Sequence, residues 1–120
     1  MTAAWMPQLS VAGAWAVLAV AIAFEVAGTT SMRLSEGFTR WVPSVLIFVF
    51  YAGAFSLNVM VIRVLGLGIT YAVWSGVGTL ATAAIGCLVF DEPATALKLA
   101  SAALIVAGVM GMHLAARTTN

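Results

Sequence analysis

The chain has 120 residues, of which 63% are hydrophobic and 8% charged, and its five basic and four acidic side chains leave a net charge of +1. So few polar side chains cannot coat an ordinary soluble domain, and no basic patch is present to hold nucleic acid. The composition is that of an all-α integral membrane protein.

In chain order, the first apolar run reaches Met32 with one ionisable side chain in it, Glu25, and predicts a helix over residues 12–32. Uncharged stretches from Trp41 to Ile62, Val64 to Phe90 and Leu99 to Ala116 predict three more, over 43–64, 69–89 and 95–115. Each covers a hydrocarbon core of about 30 Å at about 1.5 Å per residue, the last only if it runs nearly upright. The connections, Arg33 to Val42, Leu65 to Gly68 and Phe90 to Ala94, are short and hold Gly37, Pro43, Gly66, Gly68 and Pro93. Glu36, Asp91 and Glu92 also fall there. The apolar runs lack the period-two alternation of a barrel strand, so residues 1–120 read as a single four-helix transmembrane domain.

The N-terminal run lacks a basic flank and carries an acid near its end, which predicts a retained first helix rather than a cleaved signal. Cys87 stands alone within the third span, as a small packing or lipid-facing residue. Arg33, Arg40 and Lys98 fall on one side of the membrane, and Arg63, Arg117 and the terminal amine on the other. The bias is close to nil. It permits insertion in both orientations and an antiparallel dimer of identical subunits; the alternative is that a small bias still imposes one orientation.

An acid at membrane depth costs several kcal/mol unless it is protonated, hydrated or paired, which marks Glu25 as a functional residue. Four spans are too few to enclose a roomy polar passage, so a dimer with two copies of Glu25 is expected. Crowding two like charges away from water favours holding a proton or a cation there. Ala21, Gly28 and Thr29 share the face of Glu25, with Leu18 a turn further, and small residues there leave room for a ligand; a tight packing seam around one protonated acid is the alternative.

On the third span Tyr71 and Trp74 lie three apart on one face. Trp41, and with it Trp5 and Trp15, fits an interfacial belt, whereas Trp74 is too deep for one. An aromatic face near an acid attracts organic cations, by about 0.5–2 kcal/mol. Gly76 and Gly78 follow, and permit a kink or a close crossing. Ser101 and Gly108, seven apart on the last span, form a candidate dimer seam.

The strings FEVAGTTSMRLSEGFTRWVPS (24–44) and GITYAVWSGVG (68–78) resemble the first helix and loop and the third helix of the small multidrug resistance transporters. The likeness in length, span number and loop size extends from Trp15 to Ala116. It implies a dimeric, typically antiparallel, proton-coupled exporter of lipophilic and quaternary ammonium cations in a prokaryotic plasma membrane, driven by the proton gradient without a cofactor. By position, Glu25 resembles the shared proton and substrate carboxylate, Tyr71 and Trp74 the aromatic pocket, and Leu18, Ala21, Gly28 and Thr29 the first-helix lining. Tyr51 and Phe55 match positions near the substrate cavity, Gly76 to Gly78 the third-helix kink, and Ser101 with Gly108 the dimer seam. Gly28 and Thr29 resemble the multidrug branch; the guanidinium-exporting branch usually has a tryptophan close behind the glutamate. Gly66, Ser101 and Asn58 depart from the usual pattern. Some relatives work only as unlike pairs, and the segment before Trp15 keeps a heterodimer open.

Two other classes compete. A small cation channel would conduct without proton exchange, and an accessory membrane subunit would tolerate loss of Glu25. An enzyme fits least: His113, the one histidine, falls near the end of the last span, where packing suits it, and no metal-ligand cluster or nucleophile with a base appears.

Overall fold

In a computed structural model the chain is described for residues 8–118, with side chains through residue 116. Four helices run through this range: α1 (Val11–Leu34), α2 (Trp41–Leu65), α3 (Leu67–Val89) and α4 (Ala96–Thr118). Trp5, the terminal amine and the Arg117 side chain lie outside the described parts. Each helix is long and apolar enough to cross a membrane, and none of the described residues forms a strand.

The helix ends follow from local chemistry. Ser10 caps α1, its hydroxyl accepting from the Gly13 amide at 3.0 Å. At the other end Ser35, 2% exposed, holds the α1–α2 turn together: its hydroxyl donates to the Met32 carbonyl at 2.8 Å and accepts from the Phe38 amide at 3.2 Å. Glu36, Gly37 and Phe38 follow with φ of +48°, +70° and +67°. Only the glycine takes that conformation freely; the other two cost about 1 kcal/mol each, offset by the Ser35 bonds. Helix α2 begins two residues before Pro43, since a proline lacking N–H is harmless in a first turn, where that N–H has no partner. A single residue, Gly66 at φ +88°, separates α2 from α3, so α3 starts at Leu67 rather than at residue 69. Thr95 caps α4 by accepting from the Lys98 amide at 3.2 Å.

Helices α1 and α2 make the most intimate pair, α3 lies against both, and α4 packs mainly on α3, with His113 also reaching Trp15 of α1. The α1–α2 approach depends on glycine, since a Cβ on Gly53 would come within 2.6 Å of the Phe24 ring. Leu18, Ile22, Val26 and Val61 form the buried core, with Trp15, Val73 and Trp74 packed on it. The α3–α4 crossing centres on Gly76, where a Cβ would meet Val109 Cγ2 at 2.5 Å. None of the described side chains of α4 is buried.

The result is a slab, 17 Å across its thinnest dimension, rather than a closed bundle. Large apolar side chains such as Phe48, Leu88 and Leu104 are more than 60% exposed. In water that would be an aggregation surface; in a bilayer it is the solvated one.

Candidate functional site

Glu25 lies two-thirds of the way along α1, half-buried, on the side facing α3. A cleft of about 240 Å³ opens there, lined by Glu25 and Thr29 from α1 and by Tyr71, Trp74, Ser75, Gly78, Thr79 and Thr82 from α3. The two carboxylate oxygens have different surroundings. Oε2 faces α3 where Gly78 has no side chain, 3.2 Å from the position a Cβ would take. Oε1 accepts from the Thr29 hydroxyl at 3.2 Å, and the Tyr51 hydroxyl from α2 reaches it at 3.5 Å.

Tyr51 and Thr29 are themselves 2.6 Å apart, much the shortest of the three contacts. Thr29 has one proton to give. When that proton goes to Glu25, Tyr51 must donate to Thr29, which sets a directed chain from Tyr51 through Thr29 to Oε1. The ring of Tyr51 occupies the space beside Gly28, where a Cβ would come within 2.9 Å of it. Gly28 therefore admits the phenol rather than a ligand.

The aromatic rings continue from this point. Tyr51 contacts Phe55 with centroids 5.6 Å apart, Phe55 meets Trp74 edge to face at 5.8 Å, and Trp74 meets Tyr71 likewise at 5.8 Å. Four rings from two helices thus run beside the carboxylate. Tyr71 is 61% and Phe55 51% exposed, so their faces are open to a ligand or to a second subunit. Anionic oxygen and aromatic faces together suit a cation whose charge is spread over apolar groups.

Thr29, Tyr71 and Trp74 join Glu25 in the cleft, and Tyr51 and Phe55 back it. Leu18 and Ala21, each 1% exposed, do not reach it: they are buried within the subunit, Leu18 in the core with Val61, and so is Gly28, against Tyr51. Residues three and four apart share a broad face, and its two margins meet different neighbours, α2 on one side and the cleft on the other. Gly76 and Gly78 lie within the continuous helix α3, and each gives a close approach, Gly76 to α4 and Gly78 to the Glu25 carboxylate. Ser101 and Gly108 are exposed on α4, and the space beside Gly108 is open.

Ser75, Thr79 and Thr82 were not singled out by sequence reasoning. With Tyr71 and Gly78 they form a stripe at helical spacing on an otherwise apolar helix, a signal that was present in the sequence. His113 packs edge to face on Trp15 at 5.7 Å, and Trp41 is 76% exposed near a helix end. Asn58 is 6% exposed on α2, away from the cleft, and its Oδ1 has no hydrogen-bond partner among the described residues. No three His, Cys, Asp or Glu side chains cluster among the described residues as metal ligands would.

Comparison with known proteins places this arrangement in a family. Residues 13–105 match the family model for the Small Multidrug Resistance protein. An uncharacterized membrane protein of Bacillus subtilis, YvaE, is 42% identical over 100 residues, covering 83% of this chain and 84% of that one. The multidrug resistance protein EbrA of Bacillus licheniformis is 39% identical over 97 residues, 81% of this chain and 92% of its own. A guanidinium exporter of Yersinia pseudotuberculosis is 35% identical over 102 residues, 85% and 98% respectively. The family match covers the cleft, α1 to α3 and the first ten residues of α4, and the alignments take in nearly the full length of two of the three relatives. The chain belongs to the Small Multidrug Resistance family of transporters and is a multi-pass inner-membrane protein with four membrane-spanning helices.

Proposed function

We propose that the protein exports lipophilic or quaternary ammonium cations in exchange for protons, with Glu25 from each of two subunits binding either ligand. The observation that carries this reading is the cleft itself, which the one carboxylate within the membrane spans lines together with Tyr71 and Trp74. The cleft opens on a subunit only 17 Å thick, so one chain supplies a single wall of a passage. A second copy, antiparallel to the first and held through the exposed Ser101 and Gly108 of α4, would supply the other.

The exchange needs no distant relay. A proton on Glu25 cancels the charge that holds the cation, and a bound cation favours the ionised carboxylate, so the two ligands compete for the same oxygens. The chain from Tyr51 through Thr29 holds Oε1 in place by hydrogen bonds while the ligands exchange. Protonation on the outside releases the cation, and the emptied dimer turns its open side inward; the proton gradient drives the cycle.

A guanidinium exporter among the relatives supports a second reading, a small planar cation as cargo. The sequence behind the glutamate supports the bulkier cargo: the tryptophan usual there in that branch has no counterpart among Val26, Ala27, Gly28 and Thr29. The test is a titration of purified full-length protein with tetraphenylphosphonium and, separately, with guanidinium. Tetraphenylphosphonium is expected to bind and release protons, and Glu25→Gln to abolish both. Undiminished binding by Glu25→Gln would sink the shared-carboxylate mechanism, and proton release by guanidinium alone would select the second cargo.

A further inference from the structure

The Glu25 cleft does not end at the carboxylate. Thr29, Thr79 and Thr82 also line a second hollow, of about 350 Å³, that runs toward the membrane face where the α1–α2 and α3–α4 turns lie and that Arg33, Phe90 and Glu92 border. Its two charged residues are not paired with each other. The Arg33 guanidinium lies over the Phe90 ring, 4.9 Å from the centroid, which leaves Glu92 without a cationic partner among the described residues.

The Glu92 carboxylate has a built seat. Beyond α3 the chain reverses at Asp91, φ +56°, and the Glu92 amide donates back to the Gly86 carbonyl at 3.0 Å. The side chain then folds onto α3 so that its carboxylate occupies the space a Cβ on Gly86 would need. The inner site repeats this arrangement: Gly78 leaves the room that Glu25 Oε2 occupies. Gly78 and Gly86 are eight residues apart on one helix, so the two carboxylates are separated by about 12 Å along it.

Between them the hydroxyls present lone pairs only. Thr82 donates its proton to the Gly78 carbonyl at 2.8 Å and Thr79 to the Ser75 carbonyl at 2.7 Å, so both oxygens can only accept from the hollow. An exposed carboxylate, then acceptor oxygens, then a half-buried carboxylate is a graded path for a positive charge. Water still reaches Glu92, so a cation captured there sheds its hydration stepwise rather than at once.

We infer that Glu92, seated on Gly86, is an outer capture site that collects the organic cation at the mouth of the hollow and hands it past Thr82 and Thr79 to Glu25. The inference rests on the cation-binding role proposed for Glu25. A charge at the rim of a site acts mainly on association rate and its salt dependence, not on the saturated complex.

Stopped-flow binding of tetraphenylphosphonium to the purified full chain tests it, at low and high salt. Glu92→Gln is expected to slow association about threefold to tenfold at low salt, less at high salt, with the saturating amplitude unchanged. Gly86→Ala is expected to do the same, because the atoms its methyl displaces are the far end of a flexible side chain and not backbone. Glu92→Asp, a methylene too short for the seat, makes the same distinction should Gly86→Ala fold poorly. Glu36→Gln, an acid in the other turn, is the control for general surface charge. Wild-type rates in Glu92→Gln, or in both seat variants, overturn the outer site, as does an equal slowing by Glu36→Gln. Failure of the wild type to bind at all would instead remove the function proposed for Glu25, and the outer site with it.

Discussion

Removing the Tyr51 hydroxyl, with and without Thr29, tests whether the groups around Glu25 act as a directed chain or as independent donors. The geometry favours a chain, since the Tyr51–Thr29 contact is 2.6 Å whereas Tyr51 reaches Oε1 only at 3.5 Å. Tyr51→Phe removes one hydrogen bond between neutral groups, about 0.5–1.5 kcal/mol, and is expected to weaken cation binding about twofold to twelvefold. Thr29→Val removes the donor to the carboxylate itself, about 1.5–3 kcal/mol, a loss of about tenfold or more. In a chain, the phenol acts through the threonine. Tyr51→Phe introduced into Thr29→Val is then expected to cost less than about twofold, and the two effects are not additive. Calorimetric titration of the four proteins with tetraphenylphosphonium at one pH measures the cycle. The same penalty for Tyr51→Phe in both backgrounds would refute the chain and make the tyrosine a direct donor.

Trp74→Leu keeps an apolar, though smaller, side chain but removes the quadrupole, and is expected to weaken tetraphenylphosphonium binding by about 0.5–2 kcal/mol, roughly twofold to thirtyfold; unchanged affinity would show that the ring only packs. Gly76→Ala sets a methyl against the stiff Val109 side chain and is expected to destabilise the protein by about 1–3 kcal/mol, lowering its thermal midpoint in detergent. Adding Val109→Ala to that variant should recover most of the loss, and no recovery would mean the α3–α4 crossing lies elsewhere. Asn58→Leu replaces a buried amide whose oxygen has no partner among the described residues and is expected to raise stability by about 1 kcal/mol in chemical denaturation. A clear loss would show that the amide is bonded in the assembled protein.

Glu25 was legible in the sequence because a lone carboxylate in an apolar span has few structural explanations, and Tyr71 and Trp74 because their spacing sets both on one helix face. Leu18, Ala21 and Gly28 show the limit of that counting. Periodicity assigns residues to a face, but which neighbour covers each margin depends on helix packing, here on where Gly53 and Gly28 let α2 approach. The role of Tyr51 came from family likeness alone, since its partner Thr29 is 22 residues away on another helix. The two left-handed residues beside Gly37 carry no local signal; Ser35, acting across the turn, holds them there. Pro43 marked the start of α2 to within two residues, because a proline that would break a helix interior suits a first turn.

Every residue lining the Glu25 cleft comes from α1 and α3, braced by α2, while α4 packs mainly on α3 and meets α1 only where His113 rests on Trp15. If α4 pairs the subunits as proposed, ligand chemistry and assembly are written in different stretches of the chain, and a ribosome delivers them in that order. When α4 is made, every residue that lines the cleft has already been synthesised. The helix made last has the fewest obligations within its own subunit, which leaves it free to pair with a neighbour synthesised beside it. On that proposal, association begins between subunits whose cleft residues are already made.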